Sequence, residues 1–194
     1  MSPRRYASLL LITASRGTAA QFARLLPADK FAPEYNVCSA LEAGFVLRES
    51  AYDVVVIDDS VPMEDGHRIA AAAAERGAAN ILMLADEEHF RQTAAFTEAN
   101  GFMALQSPAE PELLKQSLGM MASVSARIRD LEEQTESLKN RVDEIRVIDR
   151  AKLLLIQRLK MTEKEAHRFI EKNAMDRCVN RRSIAENIIR TYQN

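Results

Sequence analysis

Five short apolar runs constrain the first 120 residues more than any other feature of the chain: Leu9–Thr13, Tyr35–Ser39, Val54–Ile57, Ile81–Leu84 and Phe102–Leu105. Each has the length of a strand, and continuous apolar runs of that length mark strands buried on both faces. Between them lie amphipathic stretches near 17–26, 40–50, 66–76 and 87–99, with a last one starting near Glu110. Strands alternating with helices build βαβ units, and these predict a small doubly wound α/β domain with a parallel sheet covered on both sides.

The first run, preceded by Arg4 and Arg5, faintly mimics a signal peptide. Similar runs recur deeper in the chain, so a buried strand explains it better, and no run of roughly 18 apolar residues predicts a membrane span. A reduced cytoplasmic protein is expected from two cysteines, Cys38 and Cys178, that fit no metal-ligand spacing. Three scattered histidines and six isolated glycines give no metal cluster and no phosphate-cradling loop, so neither a metal, a cofactor nor catalysis is expected.

Charge divides the chain. Residues 1–120 carry ten Lys/Arg against sixteen Asp/Glu, whereas residues 146–194 carry twelve against six. The net charge of −2 hides an acidic body and a basic tail. The basic tail is suited to a polyanion such as nucleic acid.

After Pro111 the only glycine is Gly119. Val124, Leu131, Leu138 and Ile145 recur every seven residues, and Ile128, Thr135 and Val142 sit four residues after the first three. This a/d stripe would be exposed on a lone helix, so the stretch 121–145 reads as a coiled coil, best satisfied by a second parallel copy. The seam ends where Asp149 and Lys152 take the next core positions. Beyond it three helices are expected over 146–194. The first continues to Lys160; Thr162 with Glu165 caps the second, and Ser183 with Glu186 the third. The inner faces read Ile148, Ala151, Leu154, Leu155 and Leu159, then Ala166, Phe169, Ile170 and Ala174, then Ile184, Ala185, Ile188 and Ile189. So small a unit needs support from the coiled coil.

Within residues 1–120, Asp58-Asp59-Ser60-Val61-Pro62-Met63-Glu64-Asp65-Gly66 places an acid at the end of the third strand, a proline four residues later and Asp-Gly at the next helix. This resembles the response-regulator receiver family, a flavodoxin-like (βα)5 fold whose strand-end aspartate accepts a phosphoryl group. Asp58 is the matching position. The resemblance also implies an acidic pair after strand one, a Ser/Thr after strand four and a lysine before a proline after strand five. Here those places hold Thr13-Ala14, Ala85 and Ser107, so the expectation is an inactive pseudo-receiver. Phosphoryl transfer to Asp58 would lack the cation and lysine that neutralise its transition state.

The tail contains Ala151-Lys152, Thr162-Glu163-Lys164-Glu165-Ala166, Ala174-Met175 and Ile184-Ala185. It resembles the ANTAR domain of AmiR/NasR-type antitermination regulators, with Leu153 standing where glycine is frequent. The resemblance implies an RNA-binding antiterminator that holds paired hairpins of a nascent leader and blocks a terminator stem. It also implies the order receiver-like domain (1–120), coiled coil (121–145), ANTAR domain (146–194). Ala151, Leu155, Ala166, Ala174, Met175 and Ala185 are expected to pack. Lys152, Arg158, Lys164, Arg168, Lys172, Arg177, Arg181 and Arg182 are the candidate RNA contacts, with His167 and Tyr192 able to stack on a base. The alternatives are a regulator phosphorylated at Asp58, a DNA-binding factor, and a protein-interaction module whose basic face meets an acidic partner. Against DNA, the expected last helix holds one basic residue, Arg190. The signal would come from a partner protein or a small ligand.

Overall fold

The computed structural model describes residues 6–27, 29–31, 36–78 and 80–192. Arg4, Arg5 and Tyr35 lie outside them. The chain divides into two compact units, Met1–Asp130 and Leu131–Asn194.

The first unit alternates β1 (Leu9–Ile12), α1 (Arg16–Leu25), β2 (Asn36–Cys38), α2 (Ala40–Glu49), β3 (Val54–Ile57), α3 (Met63–Glu75), β4 (Asn80–Ala85), α4 (Phe90–Asn100) and β5 (Met103–Gln106) before α5 (Pro111–Leu159) begins. The sheet order is β2-β1-β3-β4-β5, and every pairing is parallel. This is the flavodoxin-like arrangement, with the strand order reversing between β1 and β3. Side chains alternate across the sheet. Leu10, Ile12, Val55, Ile57, Ile81 and Met83 join α2 and α3 in one core. Leu9, Leu11, Val54, Val56, Leu82 and Leu84 join Phe22 of α1 and Leu114, Leu118 and Met121 of α5 in the other.

The expectation of two-sided burial holds for β1, β3 and β4 but not at the edges. Asn36 and Val37 of β2 and Met103 and Gln106 of β5 are exposed, because an edge strand has a neighbour on one side only. Local signals place the helices. Ser15 accepts from the Thr18 N–H at the start of α1, Ser39 and Glu42 form a capping box on α2, and α4 stops at Gly101 with φ 72°. Gly66 lets α3 approach the sheet, since a Cβ there would lie 3.2 Å from Met83 Cε.

Helix α5 stays part of the first core well beyond Leu118. Met121 and Ala122 are buried, and so is Ser125, whose hydroxyl donates to the Asp53 carbonyl at 3.0 Å. Asn80 Nδ2 donates to Ser125 Oγ at 2.8 Å and to the Met121 carbonyl at 3.2 Å, while Arg129 pairs with the Asp53 carboxylate. The stretch read as coiled coil therefore starts as a packed element of the α/β unit.

In the second unit the remainder of α5 packs with α6 (Glu163–Asp176) and α7 (Arg181–Tyr192). Ala151, Leu155, Ala166, Ile170, Ala174, Ile184, Ala185 and Ile188 make one core. Thr162 and Glu165 form the capping box that their spacing predicts. The other expected cap is corrected. Helix α7 begins at Arg181, and the Asn180 side chain accepts from the Ser183 N–H at 2.8 Å, while Glu186 accepts from Arg182 Nε at 2.9 Å. The last helix thus holds Arg181 and Arg182 as well as Arg190.

Candidate functional site

Parallel α/β sheets bind ligands beyond the carboxyl ends of their strands, where the strand order reverses. In this unit that place lies between Thr13, after β1, and Asp58, after β3. Asp58 is 3% exposed. Its Oδ2 accepts hydrogen bonds from Thr13 Oγ1 at 2.6 Å and Ser60 Oγ at 2.7 Å. The Ser15 N–H donates to Thr13 Oγ1 and the Ala14 N–H to Ser60 Oγ, both at 2.9 Å. Two hydroxyls thus hold the carboxylate oxygen that faces β1.

A divalent cation at this place would need several carboxylate or carbonyl oxygens. The residues present do not fit that requirement: Thr13 and Ala14 supply no carboxylate, and two hydroxyl hydrogens point at Asp58 Oδ2. Among the described residues no group of three or more His, Cys, Asp or Glu could hold a metal.

Beside Asp58 a cavity of about 250 Å³ is lined by Asp59, Met63, Met83, Ala85, Asp86 and Thr93 among others. Partial loss of water around the otherwise exposed Asp59 carboxyl pushes it up from its ordinary pKa. A hydrogen bond from Ser107 opposes the rise, and the neighbouring Asp58 and the charge of Asp86 reinforce it. Ala85 and Ser107 stand where the receiver resemblance calls for a hydroxyl and a lysine, so the cavity concentrates negative charge with no cation from either place. His89 lines it too, but its Nδ1 lies 2.8 Å from Asp86 Oδ1.

In the second unit the eight nominated cations separate into two groups. Arg158, Lys164, Arg168, Lys172 and Arg177 are exposed, and among the described residues no ion pair engages them. Lys152 is only 17% exposed and lies 2.8 Å from Asp149 and 3.3 Å from Glu163. The hydrogen bond to Asp149 and the second acid raise its pKa despite burial. Arg182 is half-exposed and engages Glu186, and Arg181 reaches Glu171 at 3.7 Å. His167 Nε2 meets the same Glu171 at 3.2 Å. These contacts tie α6 to α7 and α5 to the start of α6.

Two packing expectations fail on α6. Phe169 is 38% exposed, and Met175 is 78% exposed. With Ala166, Ile170 and Ala174 inward, the 100° step per residue turns Met175 to the face of Lys164 and Arg168. Sequence reasoning placed it inside because an apolar residue beside Ala174 reads as core. Leu159 ends α5 at the surface for a similar reason: the chain turns away at Lys160, with φ 56°. The seam residues Val124, Leu131, Leu138, Val142 and Ile145 are exposed and Ile128 is half-buried. Tyr192 is partly buried against the three-helix core, which removes it as a freely presented stacking ring.

Residues 136–189 match the ANTAR domain model. The chain carries an ANTAR domain after a receiver-type domain. It is 27% identical over 139 residues to the transcriptional regulatory protein PdtaR of Mycobacterium tuberculosis, covering 72% of this chain and 68% of that one. Two solved structures share the receiver fold. One is the signal receiver domain of an HD domain-containing protein from Pseudomonas fluorescens Pf-5 (TM-score 0.54, 18% identity, 67% of this chain and 96% of that one). The other is a response regulator receiver protein from Sinorhizobium medicae WSM419 (TM-score 0.51, 19% identity, 62% and 98%). The long α5 and the helices after it agree with the expected fold class, a receiver-like fold followed by a long helix and an ANTAR domain. No helix among the described residues is long and apolar enough to cross a membrane.

Proposed function

We propose that the chain is an RNA-binding transcription antiterminator that acts as a dimer and is controlled through a receiver-type domain that is not phosphorylated. The carrying observation is the outward face of α6: Lys164, Arg168 and Lys172 stand exposed while Ala166, Ile170 and Ala174 hold the helix on its core. An RNA hairpin meeting this face contributes phosphates to the cations and unpaired bases to the groups around them. A dimer through Val124, Ile128, Leu131, Leu138, Val142 and Ile145 would cover the exposed seam and present two such faces. Tethering raises the effective concentration of the second contact, so two adjacent hairpins suit it better than one.

Asp58 supports the regulatory half of this reading. Its near-complete burial under Thr13 and Ser60, with Ala85 and Ser107 in the flanking places, favours a docking body over a phosphoacceptor. The input is then a partner protein or a small ligand. Incubation with acetyl phosphate and Mg²⁺ should leave the mass unchanged; a stable gain abolished by Asp58→Asn overturns this half.

The RNA half is tested by gel shift with a leader RNA bearing two adjacent hairpins, beside duplex DNA, across a salt series. Specific binding to the RNA should weaken with log slope about −0.7 to −0.9 per phosphate contact. Lys164→Ala with Arg168→Ala should weaken it further and flatten the slope by about one to two. Equal affinity for duplex DNA refutes the assignment.

A further inference from the structure

The cavity beside Asp58 lies in the α/β unit, away from the cations of the ANTAR helices. Three carboxylates line it, Asp58, Asp59 and Asp86, and among the described residues neither lysine nor arginine does. The surrounding body is acidic as well, with ten Lys/Arg against sixteen Asp/Glu over residues 1–120. Acids alone would mark only a solvated edge. Two further features give this place the character of a binding site. Met63 and Met83 supply an apolar wall between α3 and the sheet. Thr93 of α4 lines the cavity while only 2% exposed, and among the described residues no hydrogen bond engages its hydroxyl. A hydroxyl so shielded from water calls for a partner. The volume of about 250 Å³ holds roughly eight non-hydrogen atoms, at the ~30 Å³ that a water occupies in the liquid.

We propose that this cavity binds a small primary amine in its protonated form. The ammonium carries three donors, and Asp59, Asp86 and the Thr93 hydroxyl supply acceptors for them. Its short apolar body lies against Met63 and Met83, whose thioethers adapt to an irregular shape. The acids are ready for such a guest. Asp86 is held below the ordinary carboxylate range by the His89 N–H and ring, so it stays ionised. Asp59 feels the like charges of Asp58 and Asp86, and a cation between Asp59 and Asp86 relieves that repulsion. Asp58 contributes field rather than a bond, because its Oδ2 already accepts from Thr13 and Ser60. Binding here rests on the reading of Asp58 as unphosphorylated and names the class of small ligand that this reading leaves open.

Asp59 and Asp86 are exposed, so both can be replaced without unfolding the unit. The full chain is titrated calorimetrically with benzylamine and 3-methylbutylamine at pH 7 and constant ionic strength, and melted in their presence. Benzyl alcohol, with the same ring and no charge, and Mg²⁺ serve as comparisons. At least one amine should bind saturably and raise the melting temperature of the receiver-type transition, whereas the alcohol and Mg²⁺ should not. Asp59→Asn combined with Asp86→Asn should weaken the amine about 10-fold or more, the worth of a charged hydrogen bond. Thr93→Val, which keeps the shape, should weaken it about 3-fold to 10-fold, the worth of a neutral one. Equal binding of the alcohol, loss of neither amine's affinity in the acid variants, or no binding of either amine overturns the site. So does Mg²⁺ binding that disappears in the same variants, since the acids would then hold a metal. In each of those cases Asp58 still stands as unphosphorylated. A mass gain from acetyl phosphate that Asp58→Asn abolishes removes that underlying reading instead.

Discussion

The hydroxyl pair on Asp58 makes a quantitative claim about stability. Thr13→Val keeps shape and burial but removes the donor 2.6 Å from Asp58 Oδ2 and the acceptor of the Ser15 N–H. A hydrogen bond to a charged group contributes about 1.5–3 kcal/mol. The carboxylate is almost wholly shielded from water, so the upper half of that range applies, about 2–3 kcal/mol. Ser60→Ala loses the 2.7 Å bond and the acceptor of the Ala14 N–H at a more open position, so about 1 kcal/mol is expected. The hydroxyls lie 3.2 Å apart and share one oxygen, so the double variant should depart from additivity by about 0.5 kcal/mol or more. Urea unfolding followed by circular dichroism measures all three, with Thr13→Ser as the control that keeps the hydroxyl. For a unit of this size 2–3 kcal/mol corresponds to a melting temperature lower by roughly 10 °C. A Thr13→Val change below about 0.5 kcal/mol would mean that the carboxylate does not depend on this network, and the argument for a sealed site would collapse.

Leu155→Ala opens a cavity at the centre of the three-helix core and should cost about 2–5 kcal/mol against a unit stability of roughly 3–10 kcal/mol. Thermal melts should show the loss in the ANTAR transition and leave the receiver-type transition in place. Asp59 titrates above its ordinary value. A raised carboxyl adds stability below its unfolded pKa and loses it as pH rises through the folded value. Asp59→Asn should therefore help at pH 7 and not at pH 3, by under about 1 kcal/mol because the side chain is exposed; melting at the two pH values checks it. Burial pushes the Cys38 thiol up to about 11, whereas Cys178 is exposed. Iodoacetamide at pH 8 should alkylate Cys178 alone in the native protein and both after denaturation, as read by peptide mass.

Periodicity carried most of the architecture. The runs at Leu9, Val54 and Ile81 became the three central strands, because burial on both sides leaves an unbroken apolar signature. The edges were harder: Val37 and Met103 are exposed apolar residues, and composition does not register which strand lacks a neighbour. The third helix of the ANTAR unit was misplaced by local chemistry, since Asn180 and Ser183 are both capping residues three apart and only the fold selects Asn180. Met175 shows the same limit from the other side. Its burial depends on the angle at which α6 lies on Ala151 and Leu155, and that angle is a property of the packed unit. The meeting of His167 and Arg181 at Glu171 is likewise set by helix crossings, although each was nominated singly.

Charge counting treated the cations of the tail as equal, and their surroundings separate them. Lys152 neutralises Asp149 and Glu163 at the junction of α5 and α6, so its work is structural. Lys164 projects from α6, and among the described residues no acid engages it. The two should therefore respond in opposite ways. Lys152→Met leaves two carboxylates facing each other and should lower the stability of the ANTAR unit by about 1 kcal/mol, with the salt slope of RNA binding unchanged. Lys164→Ala should leave stability within about 0.5 kcal/mol and reduce the slope by about 1. Denaturant unfolding and a salt series on the same two proteins decide it. If Lys152→Met flattens the slope as Lys164→Ala does, its ammonium meets phosphate directly, and the ion pairs give way when RNA binds.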